Sequence, residues 1–418
     1  MLSSSYHATI DDLHSPGSDG SVWQASEPTT LRIAVVYASN YGETSPGGIT
    51  IGVWRIVLGL REDIRTLLVC VADKGELITL RNRFGDRNIT VLPVLPASRR
   101  ARRVPLNIVF TIALILKRRR ILRESDVIHA HRMESALPFV VRKSKPVVLT
   151  VHGSSRDHSF CRTGMLRWRL IRRAYDIVEG FVFSRVDQVT LVSREAFEYY
   201  TNRYSRLRAK FALIPPVLDP TAFDTVDRSA ARSYFGLRDD DLAVVFVGRL
   251  SEQKRVDLVI AASARLAKQR ASTHLFIAGV GPEEGRLRLQ AVECGLKNVR
   301  FLGLLSPTEV RRLLCCADAV ALPSLWEGLP MVVLEALACG IPVAASNVGG
   351  IREVLTGELE EFILSSDDPE ELKSKIVAAA SRREAVRDLC IATARRYAAS
   401  RILAQLEHIY DHLAHPTA

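Results

Sequence analysis

Pro323-Ser324-Leu325-Trp326-Glu327-Gly328-Leu329-Pro330-Met331-Val332-Val333-Leu334-Glu335-Ala336 joins a strand to a helix. It follows AVALP at 319–323, an apolar run of the kind expected for a strand buried on both faces of a parallel sheet. Gly328 and Pro330 then open the helix, so Glu327 stands before it and Glu335 within it. On one unbroken helix the two carboxylates would lie about 12 Å apart; across a loop-to-helix junction they serve different groups of one ligand. Amides around Gly328 and Leu329 can face an anion, and a helix-borne carboxylate can accept hydrogen bonds from vicinal ribose hydroxyls. Taken singly, Glu327 is also readable as a charge complementing the helix dipole, and Glu335 as an exposed helix position.

The same strand-then-loop pattern recurs on both sides of this stretch. Upstream and downstream lie LAVVFVG at 242–248, HLFIAG at 274–279, VRFLG at 299–303 and PVAAS at 342–346. An earlier series runs LRIAVVYA at 31–38, VIHA at 127–130, PVVLTV at 146–151 and QVTLV at 188–192. The intervals are long enough for helices, which is the rhythm of βαβ units. Ser306-Pro307-Thr308-Glu309 and Asp368-Pro369-Glu370-Glu371 each supply a capping residue, proline in the first turn and an acid. Between the two series, Ile214-Pro215-Pro216-Val217-Leu218-Asp219-Pro220 can continue neither a helix nor a central strand.

A chain of 418 residues exceeds the roughly 250–300 at which single cores stop growing. The expected fold is therefore α/β, with two Rossmann-like doubly wound domains facing across a cleft. Their limits are read as 30–215 and 223–385, joined by a hinge at 216–222, with a floppy tail at 1–29 and C-terminal helices at 386–418. Ligands of such sheets bind beyond the carboxyl ends of the strands.

Two further segments follow strands. Val247-Gly248-Arg249-Leu250-Ser251-Glu252-Gln253-Lys254-Arg255 places glycine, which permits close backbone approach, beside Arg249 and Lys254. An arginine fork and a lysine point charge suit a diphosphate and the charge that develops on a departing nucleotide; alone, the segment also reads as a solvated basic loop. Ala278-Gly279-Val280-Gly281-Pro282 is the second.

With these in order, residues 243–355 resemble the nucleotide-sugar half of retaining glycosyltransferases of GT-B architecture, in the large family 4 group (glycosyl transferases group 1). GRLSEQKRVD, AGVGPE, PSLWEGLPMVVLEALACGIPVAAS and VGGIREV occur in the family's order, and E-x7-E is its hallmark. The resemblance implies that Arg249 and Lys254 bind the diphosphate and Glu335 the ribose. It places Glu327 near the reacting carbon of the donor sugar, with Gly328, Leu329 and Pro330 along that sugar. In the first half, Pro46-Gly47-Gly48 resembles the family's glycine loop against the phosphates, and is otherwise a simple turn. Thr150-Val151-His152-Gly153 resembles the active-site histidine motif, so His152 is expected to position the donor sugar or acceptor.

His129 and His131 alternate at a strand end, which puts both imidazoles on one face; they read as cleft lining, since no carboxylate or cysteine partner has metal-ligand spacing. Asp239-Asp240-Asp241 matches the Asp-x-Asp of metal-dependent transferases but precedes a strand and reads as a solvated turn. No metal and no cofactor are expected.

The net charge of +11 favours anionic partners and is concentrated at Arg99 to Arg123 and at 162–173. No nucleic-acid-binding signature accompanies it. The thirteen residues of the largely apolar run Val104 to Leu116 are bracketed by Arg99-Arg100-Ala101-Arg102-Arg103 and Lys117-Arg118-Arg119-Arg120. They are too few to span a bilayer and read equally as a helix docking on an anionic leaflet or a buried helix with cationic ends. Seven scattered cysteines without a C-x-x-C pair, and a first segment unlike a signal peptide, point to the cytoplasm, with the inner face of the membrane as a docking place.

The expected partners are a nucleoside-diphosphate sugar and a glycan or lipid-linked hydroxyl acceptor of envelope or exopolysaccharide synthesis. The rivals are a nucleotide-sugar epimerase of the same fold and a basic membrane-binding protein without catalysis; a sugar phosphorylase would need a pyridoxal phosphate lysine motif that is absent. Tyr397 to Leu413 has helical periodicity and, by resemblance, a path back onto the first domain.

Overall fold

The computed structural model describes residues 30–40, 47–72, 88–96, 105–153, 169–219 and 226–416. The segment 1–29, Pro46, Arg99 to Arg103 and Arg162 to Trp168 lie outside the described residues.

Seven strands form the first sheet: β1 (Arg32–Asn40), β2 (Arg65–Val71), β3 (Ile89–Leu95), β4 (Val127–Ala130), β5 (Val147–Val151), β6 (Gln188–Leu191) and β7 (Phe211–Leu213). All pair in parallel, in the order β3-β2-β1-β4-β5-β6-β7. Helices α1 (Gly48–Gly59), α2 (Leu106–Arg123), α3 (Met133–Val140), α4 (Arg169–Arg185) and α5 (Arg194–Arg203) cover it. Central β1 shows why an unbroken apolar run was needed. Ala34 and Val36 pack on one face with Phe110 of α2, Phe139 of α3 and Phe183 of α4, while Ile33 and Val35 pack on the other with Val53 and Val57 of α1.

The second sheet has β8 (Leu242–Val247), β9 (Thr273–Ala278), β10 (Val299–Gly303), β11 (Ala319–Leu322), β12 (Val343–Ser346) and β13 (Ile363–Leu364), parallel in the order β10-β9-β8-β11-β12-β13. Its helices are α6 (Arg228–Tyr234), α7 (Val256–Gln269), α8 (Glu284–Glu293), α9 (Pro307–Cys316), α10 (Met331–Ala338), α11 (Ile351–Val354) and α12 (Pro369–Arg395), and α13 (Ala399–Ala414) ends the chain. Both sheets reverse direction of winding beside their first strand, at β1/β4 and β8/β11, where the crevice of a doubly wound sheet opens. The starts of α9 and α12 are capped: Ser306 and Glu309 exchange side-chain and backbone hydrogen bonds, and the Asp368 carboxylate accepts from the Glu370 amide.

Four strands were not among those expected. β2 is an apolar run as good as its neighbours; β3 carries Pro93, which an edge strand tolerates because one side of its backbone has no partner. β7 and β13, of three and two residues, are too short to carry a pattern.

Two readings are corrected. The limit at 385/386 falls inside α12, a single helix of 27 residues; the chain turns at Arg396 to Ala398 instead. There Leu218 of the linker pairs with Ala398 and donates to the Tyr397 carbonyl at 3.1 Å, so the two chain crossings between the sheets run side by side as one hinge. Beyond it, α13 lays Ile402, Leu403, Leu406 and Tyr410 into the first domain's core against α1. The second correction is Asp241. Asp239 and Asp240 are exposed, but Asp241 is buried, accepting from the Arg238 amide at 2.8 Å and facing His274 at 3.4 Å, so it closes the turn before β8.

Candidate active site

Gly47 and Gly48 at the start of α1 and described residues following β4, β5, β8, β9 and β11 at their carboxyl ends line one cavity of about 1420 Å³. Gly48, His152, Arg249, Lys254, Glu327, Gly328, Leu329, Pro330 and Glu335 all line it. The sequence-selected residues of both halves therefore share a single space.

On the second domain, hydrogen bonds and ion pairs fix the wall. The Gln253 side chain donates to the Trp326 carbonyl at 2.7 Å and the Leu325 amide to the Gln253 carbonyl at 2.8 Å, clasping the loop after β8 to the loop after β11. Arg255 then leaves with φ +48, the one non-glycine residue with positive φ among the described residues. That conformation is disfavoured for residues with a Cβ, and it is held here by ion pairs from Arg255 to Asp257 and Asp367. The result is that Lys254, at the end of a 3₁₀ turn, reaches Glu327 and forms an ion pair with it. Lys254 and Glu327, assigned to different parts of a ligand, are thus each other's partner. Arg249 is exposed and makes no ion pair among the described residues.

Glu327 and Glu335 are 7% and 8% exposed, so Glu335 is not an ordinary surface position. Its partner comes from the other domain: Arg55 Nη2 donates to Glu335 Oε1 at 2.8 Å, and Arg55 Nη1 reaches the Val217 carbonyl at 3.4 Å. Arg55 was missed by sequence reasoning. The signal available was that it is the one charged residue in α1, GITIGVWRIVLG, two turns beyond Gly48 on the same face.

The domains also touch at Gly328. A Cβ there would be driven into the His152 carbonyl, so only glycine permits this approach. Behind it the Gly350 amide, in the VGGIREV segment, donates to the Gly328 carbonyl at 2.6 Å, and the Glu353 carboxylate accepts from the Arg194 amide at the start of α5 at 2.5 Å. Burial raises the Glu353 carboxyl to about 7.

On the first domain, three histidines stack at the ends of β4 and β5. His129 and His131 have ring centroids 4.2 Å apart, and His131 Nδ1 lies 3.2 Å from His152 Nε2. Hydroxyls of Tyr410 and Thr150 take the two ring nitrogens of His129 at 2.6 and 2.7 Å, so α13 braces the histidines from beneath. Burial lowers His129 and His152 to about 3 and His131 well below its ordinary value, with mutual repulsion and, for His152, the Arg132 charge adding to the effect. All three are neutral at pH 7 and act by hydrogen bonding and shape. His131 Nε2 is buried with no partner.

Around the Gly279–Gly281 turn and the start of α9 the cavity is lined by Val280, Leu304, Leu305, Pro307, Val310 and Arg311. The arrangement offers cations, buried carboxylates and helix N-termini around one space, the requirements for holding a sugar nucleotide.

Residues 46–222 match the Glycosyltransferase Family 4 model and residues 227–396 the Glycosyl transferases group 1 model. Over 287 residues the chain is 30% identical to a D-inositol 3-phosphate glycosyltransferase of Geodermatophilus obscurus, a match covering 65% of this chain and 62% of that protein, less than two thirds of its length. A protein of the same description from Actinosynnema mirum is 32% identical over 307 residues, covering 68% of this chain and 72% of the relative. Among solved structures, Anabaena HepE in complex with UDP and glucose superposes with a TM-score of 0.72 at 20% identity, covering 92% of this chain and all of that one, a likeness of fold. With both halves matched in order and a relative of this identity matched over most of its length, the chain belongs to glycosyltransferase family 4, with the two-domain GT-B architecture.

Proposed function

We propose that the protein transfers a sugar, with retention at the anomeric carbon, from a nucleoside-diphosphate sugar to a hydroxyl of a glycan or lipid-linked acceptor of envelope or exopolysaccharide synthesis. The observation that carries this reading is the convergence of Lys254 with Glu327 and of Glu335 with Arg55 on one cavity beyond the second sheet's carboxyl edge. Arg249 and Lys254 receive the diphosphate and stabilise its charge as it departs, so no metal is needed. The Gly48 end of α1 faces the same phosphates from the first domain. Glu335 accepts from the ribose hydroxyls. Glu327, with the amides of Gly328 and Leu329 and with Pro330, lies along the donor sugar, and neutral His152 positions sugar or acceptor from across the cleft.

Helix α2 supports a peripheral membrane location. Phe110, Leu114 and Ile121 are buried, but Ile108, Ile112, Ile115 and Leu116 form an exposed apolar stripe, Leu116 at 79%, next to Lys117, Arg119 and Arg120. Such a face fits the surface of an anionic leaflet. No helix among the described residues is long and apolar enough to cross a membrane.

The test is a screen of UDP-, GDP- and ADP-sugars for thermal stabilisation, followed by acceptor-dependent release of nucleoside diphosphate. Lys254→Ala and Glu335→Ala are expected to abolish turnover while leaving the fold intact. Near-normal turnover in both, or conversion of donor without any acceptor to an epimeric sugar nucleotide, would overturn the reading.

A further inference from the structure

We propose that Arg132, with the first turn of α3, forms a subsite for an anionic group, a phosphate or a carboxylate, carried by the acceptor. The inference rests on the transferase reading and names the chemistry of its second substrate.

The cations lining the cavity fall into two sets. On the donor side Lys254 is paired with Glu327, Arg55 is paired with Glu335, Arg249 stands with the diphosphate segment, and Arg311 of α9 has a partner of its own. Arg132 lies on the first-domain wall, follows the stacked His131 directly in sequence, and is half-buried. Its guanidinium sits 5.8 Å over the Tyr37 ring at the end of β1, and it makes no ion pair among the described residues. A guanidinium withdrawn partly from water without a counter-ion is costly unless a ligand supplies the negative charge, and its planar fork matches phosphate or carboxylate oxygens two at a time.

Three features beside it point the same way. Arg132 is the extended N-cap of α3, with no side-chain hydrogen bond closing that end, so the first-turn amides of Met133 and Glu134, residues that also line the cavity, lack intrahelical acceptors. His131, 1% exposed and in the same wall, has Nδ1 engaged with His152 while its Nε2 has no partner. Arg132 also lines the same cavity as His152 and Gly328, the junction where the two halves touch.

Glu134 bounds the ligand. Its carboxylate lies in the same turn and disfavours a densely charged group, whereas with Tyr175 it can hold hydroxyls. The acceptor that fits is a polyhydroxylated molecule with one anionic substituent near the hydroxyl that is glycosylated.

The test uses the full chain saturated with whichever nucleoside diphosphate stabilises it, so that the donor phosphate positions are filled. Inorganic phosphate is then titrated, and its added thermal stabilisation is compared in wild type, Arg132→Ala and Arg132→Lys. The expected result is a further rise in melting temperature for wild type, a smaller one for the lysine variant and none for alanine, with the nucleotide-induced rise unchanged in all three. In turnover, glucose 6-phosphate and inositol 1-phosphate should be used at least tenfold better than glucose and inositol, and Arg132→Ala should erase that preference through acceptor KM. If vesicles bearing phosphatidylinositol are the better acceptor, the anion belongs to a lipid headgroup; if the soluble esters are, it belongs to a free sugar phosphate. Equal phosphate responses in wild type and Arg132→Ala, or an equal preference for phosphorylated acceptors in both, would overturn the subsite. Loss of nucleotide stabilisation in wild type would instead remove the transferase reading beneath it.

Discussion

Replacing Arg55 by alanine tests whether the domains cooperate on the donor through Glu335. The pair is neither solvent-exposed nor deeply buried, with side-chain exposures of 19% for Arg55 and 11% for Glu335 at 2.8 Å. Exposed pairs contribute about 0–1 kcal/mol, and truncating one partner of a fully buried pair costs about 3–5 kcal/mol. An intermediate pair on a cleft wall should therefore cost about 1–2 kcal/mol, or roughly a 5- to 30-fold change at about 1.4 kcal/mol per factor of ten. Arg55 holds Oε1, so if Glu335 accepts from the ribose as proposed, the loss should fall on donor KM, with kcat changed little, the pattern of an interaction made equally in ground and transition states. Initial rates over a donor series at saturating acceptor read this directly. In a Glu335→Gln background the Arg55→Ala change should cost less than about twofold, since the coupling has already gone. An undiminished effect in that background, or a change confined to acceptor KM, would refute the reasoning.

Gly328→Ala should lower kcat/KM by more than about tenfold with an unchanged circular dichroism spectrum, because the new methyl group strikes the His152 carbonyl and keeps the domains apart at the site where chemistry is proposed. The buried histidines give a pH signature. With folded values near 3 for His129 and His152 and an unfolded value near 6.5, the unfolded chain binds more protons between these limits, so their stability contribution is complete above about pH 6.5 and lost as pH falls. Glu353, raised to about 7, acts in the opposite direction between about pH 4.5 and 7. The comparison that isolates one histidine is His129→Gln against wild type in urea titrations from pH 4.5 to 6: the variant's stability should rise with pH less steeply, by up to about 1.4 kcal/mol per pH unit, and parallel profiles would count against a neutral His129. Sedimentation with anionic liposomes at low salt should be lost in Leu116→Ser together with Ile112→Ser, and retention of binding would remove α2 as the docking face.

The second domain was more legible than the first for a physical reason. Its cavity-lining loops carry glycine and charge at fixed offsets from strands, so Gly248-Arg249, Gly279-Val280-Gly281 and Glu327-Gly328 mark both the strand ends and the cavity side at once. In the first domain the equivalent loops leave weaker traces, and β3, with Pro93, breaks the apolar pattern that identifies its neighbours. The end of α12 was illegible because the helix stops at Arg395 without a following glycine or proline, whereas its start carried Asp368-Pro369. Tyr410 was beyond sequence reasoning altogether: its contact with His129 spans 281 positions and depends on α13 returning across the hinge.

Arg55 and Arg132 show where single-chain pattern reading stops. Each is one cation with no motif around it, and what gives each a role is the partner the fold supplies or withholds. Glu335 was assigned to the ribose because its spacing from Glu327 resembles the family's pattern. That this carboxylate is nearly buried and paired with a cation is seen only once α10 is seated against α1. The cation comes from the other domain, while Lys254, which the sequence had placed in this domain's donor site, is taken by Glu327. The cavity wall is therefore divided between the halves, and the Arg55 contact ties α1 of the first domain to α10 of the second.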